Sequence, residues 1–520
     1  MNKIALVTGG AGFIGSHLCE HLLKKGYKVI CVDSFFSGKK DNIAHLLNDK
    51  NFVLVRHNII YPLKQKFESI DEIYNLACPA SPMQYQFDPI LTLRTSVDGT
   101  RQMLDLARKY NARFLQTSTS EVYGDPLEHP QKEEYFGNTD PLGKRSCYDE
   151  GKRAAESLCK DYHEQYGVDV RITRLFNVYG PHMMFNDGRV VSNFILQALL
   201  NEDITIHGSG QQSRSFMYID DLLVAFDRIM ELPFDKIGWR PVNLGNPDER
   251  TIEQLAEKIK IAAKSKSQIV YFDYDKVPSR LGDPQRRCPD ITRARTILAW
   301  EPIVNFEEGL EKTIADFHKR LDNKTRLAVF LPSYYPIAGP AEKAVKDITD
   351  QLITYDFDLF VAKLKKGLKD EEKIGRVNVY RLGMGNVFDK FLLPFLGAKK
   401  ALSLNKTRNY QGTWGIMASY GSLAAVIFSI FSRKALMVSL YEGQIKERWA
   451  IKNKILKPFY RLIFKKANYL QIVSDLNQQQ LAWLEDDKQV EGLDIDKGLD
   501  YMVKKTKEKF QDLEILSSRL

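Results

Sequence analysis

Six apolar, β-branched-rich runs punctuate the first third of the chain, at residues 3–8, 27–33, 51–59, 72–77, 112–119 and 170–176. Between several of them the apolar positions recur at helical spacing, which predicts helices over 14–25, 89–110 and 148–166. Alternation of this kind predicts a parallel sheet with helices on both faces. The strands are apolar almost without interruption, so both faces of that sheet are expected to be covered. Beyond about residue 180 the rhythm becomes irregular, with helices expected near 189–200, 220–231, 251–264 and 306–320. That part reads as a smaller lobe attached to the sheet.

A polar stretch, KRLDNKT (319–325), then precedes a second alternating run. Strand-like segments recur at 326–336, 357–362, 377–383, 435–440 and 469–474, with a helical pattern at 341–354. The longest apolar run, 414–431, contains two Gly, three Ser and a Tyr, and reads as a buried strand, turn and helix instead of a membrane span. From about Asp487 the chain is charged and weakly patterned, which predicts one exposed helix. The expected fold class is α/β throughout. A Rossmann-type domain occupies 1–322, its core at about 1–180 and its small lobe at 181–322, and a second Rossmann-like domain occupies 323–520.

Composition sharpens the division. At 44% apolar and 27% charged residues, the 520-residue chain is neither disordered nor fibrous. Its net charge of +9 is uneven: residues 1–320 hold 42 Lys/Arg against 43 Asp/Glu, whereas 321–520 hold 33 against 23. All six Cys and all nine His lie in the first 320 residues. The cysteines form no C-x-x-C pair and show no metal-ligand spacing, so no metal is expected, and a reducing cytosol suits them. The opening MNKIALVTGG runs straight into a strand, which leaves no room for a signal peptide and predicts a cytoplasmic protein.

The chemistry begins at TGGAGFIG (8–15), placed after the first strand and opening the first helix. Gly9 permits a tight turn, Gly12 lets backbone approach a pyrophosphate, and Gly15 lets helix and strand pack closely. The amides of Phe13 and Ile14 open a helix N-terminus toward phosphate. Asp33, ending the second strand, can accept bonds from both adenosine ribose hydroxyls and would repel a 2′-phosphate, which favours NAD over NADP. Tyr148 and Lys152 form Y-x-x-x-K on one helix face, where the ammonium should lower the phenol's pKa and make Tyr148 a base for a sugar hydroxyl. Tyr501 and Lys505 repeat the spacing without a nucleotide loop upstream, and read as a solvated helix face.

GGAGFIG, TSTSEVYGD (117–125) and Tyr148–Lys152 together resemble the extended short-chain dehydrogenase/reductases that act on nucleotide sugars. Within them, ACPASPMQYQFDPI (77–90), SCYDEGKRAAE (146–156), MFNDGRVVSNFILQAL (184–199), NLGNP (243–247) and DPQRRCPDI (283–291) resemble the UDP-glucuronate decarboxylase family. That resemblance implies oxidation at C4 of the glucuronosyl ring by NAD, loss of CO2 from the resulting β-keto acid, and reduction back to UDP-xylose without net NADH. It implies that Thr119, Ser120, Glu121 and Arg287 serve the chemistry with Tyr148 and Lys152. Glu121 would position the carboxylate or relay a proton, and Arg287 would hold Glu121 or the substrate carboxylate. Cofactor contacts are implied for Phe36, Ser37, Gly38, Asn58, Ile59, Leu76, Thr95, Thr117 and Arg189, and substrate contacts for Arg94, Asn177 and Arg214. Asn58 stands where that family has an Asp, Arg94 replaces a Lys, and Thr117 stands where Ala is frequent. A homodimer through paired helices is implied as well. A 4-epimerase or 4,6-dehydratase on a nucleotide sugar shares the first oxidation and is the alternative. A dehydratase would be expected to show Asp-Glu at 120–121, and an epimerase has no need of the Arg in DPQRRCPDI.

RLAVFLPSYYPIAGPAEKAVKDITDQL (326–352), with 413–443 and 467–484, resembles the N-terminal lobe of family-four glycosyltransferases, with no match to that family's C-terminal lobe. The resemblance implies a half-fold that transfers no sugar alone. KERWAIKNKILKPFYRLIFKKAN (446–468) is basic and interleaved with aromatics, which reads either as a lobe helix with a solvated basic face or as a peripheral membrane or partner contact through Lys457, Arg461, Lys465 and Lys466. A membrane-recruited scaffold is the non-enzymatic alternative. Nucleic-acid motifs are lacking.

Overall fold

Seven strands build the first sheet: β1 (Ile4–Thr8), β2 (Lys28–Asp33), β3 (Phe52–Arg56), β4 (Glu72–Asn75), β5 (Arg113–Thr119), β6 (Val170–Leu175) and β7 (Val242–Leu244). They run in the order β7-β6-β5-β4-β1-β2-β3 and every pairing is parallel. This is the doubly wound order, in which the direction of winding reverses beside β1 and opens a crevice at the strands' carboxyl ends. The computed structural model describes residues 2–185, 187–273, 284–441, 457–473, 489–493 and 498–519. The chain divides into two units, Met1–Lys319 and Arg320–Leu520.

In the first unit α1 (Phe13–Lys24), α2 (Thr100–Tyr110) and α3 (Ser146–Tyr166) cover the sheet. On one face Leu6, Ile30, Ile73, Phe114 and Val170 pack with Met103, Leu104 and Ala107 of α2 and Cys159 of α3. α2 stops where Asn111 turns left-handed (φ 52°), and α3 stops at Gly167 (φ 69°), which has no Cβ to resist that turn. The helix expected over 89–110 is interrupted: Pro89–Arg94 passes through a π-turn at Thr95–Gly99 before α2 begins. Such a bulge carries an extra residue per turn and re-aims side chains, often at a functional site. Here Gly99 permits the approach of Ile59, whose Cδ1 would lie 2.7 Å from any Cβ. The sheet also takes its last strand, β7, from well beyond residue 180, so the core and the small lobe interleave along the chain.

The second unit holds β8 (Thr325–Phe330), β9 (Tyr355–Ala362), β10 (Glu371–Ile374), β11 (Val377–Leu382), β12 (Gly412–Ile416), β13 (Leu436–Tyr441), β14 (Tyr469–Val473) and β15 (Gln489–Leu493). Their order is β10-β11-β9-β8-β12-β13-β14-β15, parallel except for the β10–β11 hairpin. Leaving β10 aside, this repeats the winding of the first sheet. On one face α4 (Pro340–Gln351) and α8 (Gly498–Arg519) pack on Val329, Leu359 and Trp414. On the other, α5 (Asp389–Arg408), α6 (Tyr420–Ser432) and α7 (Lys457–Lys466) cover Ala328, Phe330 and Phe360.

One expectation changes here and another is met. The charged tail is not a solvated helix: Phe510 and Leu513 of α8 are fully buried, with the Phe510 ring 5.0 Å from that of Trp414. The polar stretch 319–325 spans the boundary between the units: the helix Phe306–Asp322 ends within it and β8 starts at Thr325. The strand and helix expected within 414–431 are β12 and α6, and among the described residues no helix is long and apolar enough to cross a membrane. Lys505 of the second Y-x-x-x-K pair bonds Glu508 (2.9 Å) on its own helix; the Tyr501 side chain lies outside the described residues.

Candidate active site

The carboxyl ends of β1 to β6 open onto a cavity of about 350 Å³. Parallel strands deliver their following loops to one edge, so residues far apart in sequence converge there. Gly9, Gly12, Phe13, Ile14 and Gly15 line it after β1, Asp33, Phe36 and Ser37 after β2, and Asn58 and Ile59 after β3. Leu76 follows β4 and Thr95 comes from the π-turn; Thr117 and Thr119 end β5, with Ser120 and Glu121 just beyond; Asn177 follows β6, and Arg189 and Arg214 enter from the small lobe. Tyr148 and Lys152 project from α3.

The glycine turn fits a dinucleotide on the structure's own terms. A Cβ on Gly15 would sit 2.1 Å from the Gly9 carbonyl oxygen, so any side chain there would push α1 off the turn. Gly9 itself has φ +67° and donates its N–H to the Val32 carbonyl (2.8 Å). Asp33 accepts from the amides of Ala11 (2.9 Å) and Phe35 (2.7 Å), which fixes its orientation while leaving lone pairs on both oxygens. Burial raises its pKa and those two amides oppose the rise. Gly38 does not line the cavity but abuts this carboxylate, 2.8 Å separating Asp33 Oδ2 from where a Cβ would stand. Asn58 spends its carboxamide oxygen on the Ile60 amide (3.2 Å). Thr117 donates to the Asn75 carbonyl (2.9 Å), locking the β4 and β5 ends together.

Tyr148 and Lys152 are both buried, and Lys152 Nζ donates to the Thr117 carbonyl (2.8 Å) at 6.0 Å from the phenol ring centroid. The expected lowering of the phenol's pKa is not present. Burial pushes Tyr148 well up, and the Thr119 hydroxyl bonded to it offsets only part of the rise. Burial also lowers the pKa of Lys152. Tyr85 stacks on Tyr148 at 5.2 Å with planes 7° apart, fixing the ring from its other face.

Glu121 lies between two arginines. Arg287 Nη1 is 2.6 Å from one carboxylate oxygen, and Arg145 Nη2 bonds the other. Burial pushes Glu121 up, but the two guanidinium charges outweigh it and hold the carboxyl at about 2. Arg287 is itself buried and donates to the Gly124 carbonyl (2.5 Å), behind the cavity wall and not on it. Of the two roles the family resemblance left open for Arg287, the structure thus supplies the grip on Glu121. Asp149, one residue beyond Tyr148, is pushed up to about 8 by burial and by the neighbouring Glu121 charge.

Arg214 lies in the strand Ser213–Ser215, in register with Arg287 of the strand Arg286–Arg287. Its guanidinium donates to the carbonyls of Ser213 (2.7 Å) and Pro284 (2.6 Å). Asn177 donates to the Ser215 carbonyl (3.2 Å), and Arg189 Nε lies 3.5 Å from Asp187. Arg94 is the one assigned residue the fold sends elsewhere. It faces out from its helix, paired with Asp98 (2.9 Å) one turn on, and does not reach the cavity. Sequence reasoning missed Arg145, Tyr85 and Asp149, although all three lie within or beside quoted motifs. Cys288 comes together with His129 and Glu249, all three ligand atoms lying within 4.8 Å of one another. Arg286 Nη2 stands 2.8 Å from His129 and 2.9 Å from Glu249, so a side-chain cation balances that cluster.

A doubly wound sheet with a glycine turn, an acid ending β2 and a Tyr–Lys pair on α3 defines a nucleotide-dependent dehydrogenase-type enzyme. The model of the GDP-mannose 4,6 dehydratase family matches residues 6–313. The chain is 49% identical over 319 residues to UDP-glucuronic acid decarboxylase 1 of Arabidopsis thaliana, covering 61% of this chain and 71% of that one. It is 50% identical over 321 residues to UDP-glucuronic acid decarboxylase 6 of the same plant, covering 62% and 90%. Among solved structures, UDP-glucuronic acid 4-epimerase from Bacillus cereus, in complex with UDP-glucuronic acid and NAD, aligns with a TM-score of 0.54 at 28% identity, covering 61% of this chain and 99% of that one. This chain belongs to the GDP-mannose 4,6 dehydratase family and, within it, to the UDP-glucuronic acid decarboxylases.

Proposed function

We propose that the first unit converts UDP-glucuronate to UDP-xylose and CO2 with a retained NAD, and that Tyr148, Lys152, Thr119, Ser120 and Glu121 carry the chemistry. The observation behind this reading is the ionised Glu121, gripped by Arg145 and Arg287 at the end of β5 beside Thr119 and Tyr148. When bound, NAD supplies the hydride acceptor and later donor at C4, together with a positive ring charge beside the phenol. Tyr148 takes the C4 hydroxyl proton, and Lys152, fixed on the Thr117 carbonyl, holds positive charge near the phenolate so formed. Thr119 bonds the same oxygen, on which the electrons of the departing carboxylate come to rest. Glu121, held at about 2, has no proton of its own to give at neutral pH. It orients the water that protonates C5, while Arg214 and Arg189 meet the diphosphate.

The second unit is read as a single Rossmann-like lobe of glycosyltransferase type, supported by its strand order. Its basic segment, with Arg461, Lys465 and Lys466 exposed on α7, supports peripheral contact with an anionic surface. A homodimer is read from Ile90 and Leu93, large apolar side chains exposed on Pro89–Arg94, beside α3. The test of the main reading is product analysis: full-length protein with UDP-glucuronate should release one CO2 per UDP-xylose and accumulate no NADH. UDP-galacturonate formed without CO2 would establish an epimerase instead.

A further inference from the structure

The second unit exposes large apolar side chains at the start of α5, of which Phe391 also packs edge-on against Tyr420 of α6 (ring centroids 5.0 Å apart). Phe388, Phe391, Leu392 and Phe395 occupy positions i, i+3, i+4 and i+7 at the start of α5, which places them on one helix face. Phe388 is 74% exposed, Phe391 53% and Phe395 71%, and Met384 and Val387 extend the surface into the preceding loop. Contiguous exposed aromatics of this kind mark an interaction site.

The loop that presents them is built. Asp389, fully buried, accepts from the amides of Gly385 (2.7 Å) and Asn386 (3.0 Å), and Asn386 in turn accepts from the Phe388 amide (2.9 Å). Gly383 (φ 119°) and Gly385 (φ 88°) supply backbone conformations that other residues resist. Gly385 also runs against the backbone of Lys365 and Lys366, since a Cβ there would fall 2.9 Å from Lys366 Cα. Those two exposed lysines therefore border the apolar surface.

Charge selects the occupant. Exposed Lys365 and Lys366 border the apolar surface and Lys390 lies within its helix, whereas Lys400 farther along α5 is already paired with Glu371 (2.6 Å), and the one acid opening α5, Asp389, is spent inside its own loop. An apolar knob bordered by exposed lysines matches the interface of an anionic bilayer, where aromatics enter the headgroup boundary and lysines meet lipid phosphates. We propose that Met384, Val387, Phe388, Phe391, Leu392 and Phe395 insert into the surface of an anionic phospholipid membrane, with Lys365 and Lys366 on the headgroups. This deepens the peripheral-contact reading of the second unit and assigns the anchoring to α5 instead of the basic segment around α7.

Co-sedimentation of the full-length protein with extruded vesicles tests it, using phosphatidylcholine alone and with about 30 mol% phosphatidylglycerol. The protein should pellet with the anionic vesicles only. The triple variant Phe388→Ser/Phe391→Ser/Phe395→Ser should bind at least about tenfold more weakly at every salt concentration. Lys365→Glu/Lys366→Glu should weaken binding most at low salt. Unchanged hydrogen exchange of the β12 amides in each variant would show that the second unit is folded. Absence of vesicle binding overturns the proposal. Binding that survives the aromatic triple but is lost in Arg461→Glu/Lys465→Glu/Lys466→Glu also overturns it, and leaves the α7 reading standing. A dimer that depends on Phe388, Phe391 and Phe395, without vesicle binding, overturns it in favour of a second copy as occupant.

Discussion

Replacing Glu121 by Gln removes one negative charge from between two guanidinium groups and changes almost nothing in shape. The carboxyl is held at about 2 against an ordinary 4.5. At 1.36 kcal/mol per unit, the displacement of about 2.5 units corresponds to about 3 kcal/mol of stability. Loss of one partner from a fully buried ion pair costs about 3–5 kcal/mol, and Glu121, whose side chain is 20% exposed, belongs at or below the lower end of that range. Because the folded-state pKa is depressed, this stability is fully present above the unfolded value near 4.5 and is lost as pH falls toward 2. Wild type should therefore exceed Glu121→Gln by about 3 kcal/mol at pH 7, and the gap should close through the window from about pH 4.5 to 2. The measurement is a urea titration of the full-length protein, following hydrogen exchange of the β5 amides so that only the first unit is read. A difference below about 1 kcal/mol at pH 7, the range of exposed pairs, would refute the Arg145–Glu121–Arg287 triad as an electrostatic unit. So would a gap that fails to close at low pH.

Tyr148→Phe should bind NAD with near-normal affinity and lose at least about a hundredfold in the first appearance of bound NADH absorbance, followed by stopped flow. Arg94→Ala, which removes only an exposed pair with Asp98, should change KM for UDP-glucuronate less than twofold in steady-state assays, to about the accuracy of such pairs' small energies. Phe510→Ala should destabilise the second unit by about 3–5 kcal/mol in the same exchange experiment read on β12, whereas a solvated tail helix would lose almost nothing.

The strands and most of the cavity were legible because both rest on short-range rules. Apolar runs with a glycine turn and a terminal acid place Gly9, Gly15 and Asp33 without knowledge of the rest of the chain. What escaped depends on partners distant in sequence. Arg145 looks like a surface cation until β5 brings Glu121 to it, and the helix over 89–110 looks continuous until the π-turn aims Thr95 at the cavity. The charged α8 hides its function for the same reason: the buried apolar side chains Phe510 and Leu513 sit among Lys and Glu residues that the sequence pattern weighs equally. Arg94 failed in the opposite direction, since a motif position was carried over and the helix face it occupies points outward.

The short strand Arg286–Arg287 has a consequence in time. Arg287 reaches back 163 residues to the Gly124 carbonyl, so the sheet, the glycine turn and the Tyr–Lys helix all leave the ribosome before it does. At synthesis rates of about 5–20 residues per second, the nascent unit spends about 7–28 s with Glu121 matched by Arg145 alone. A stalled ribosome carrying a chain that ends before residue 284 would thus display a cofactor crevice whose wall is unlocked, and completion of the enzyme is timed by the arrival of one arginine.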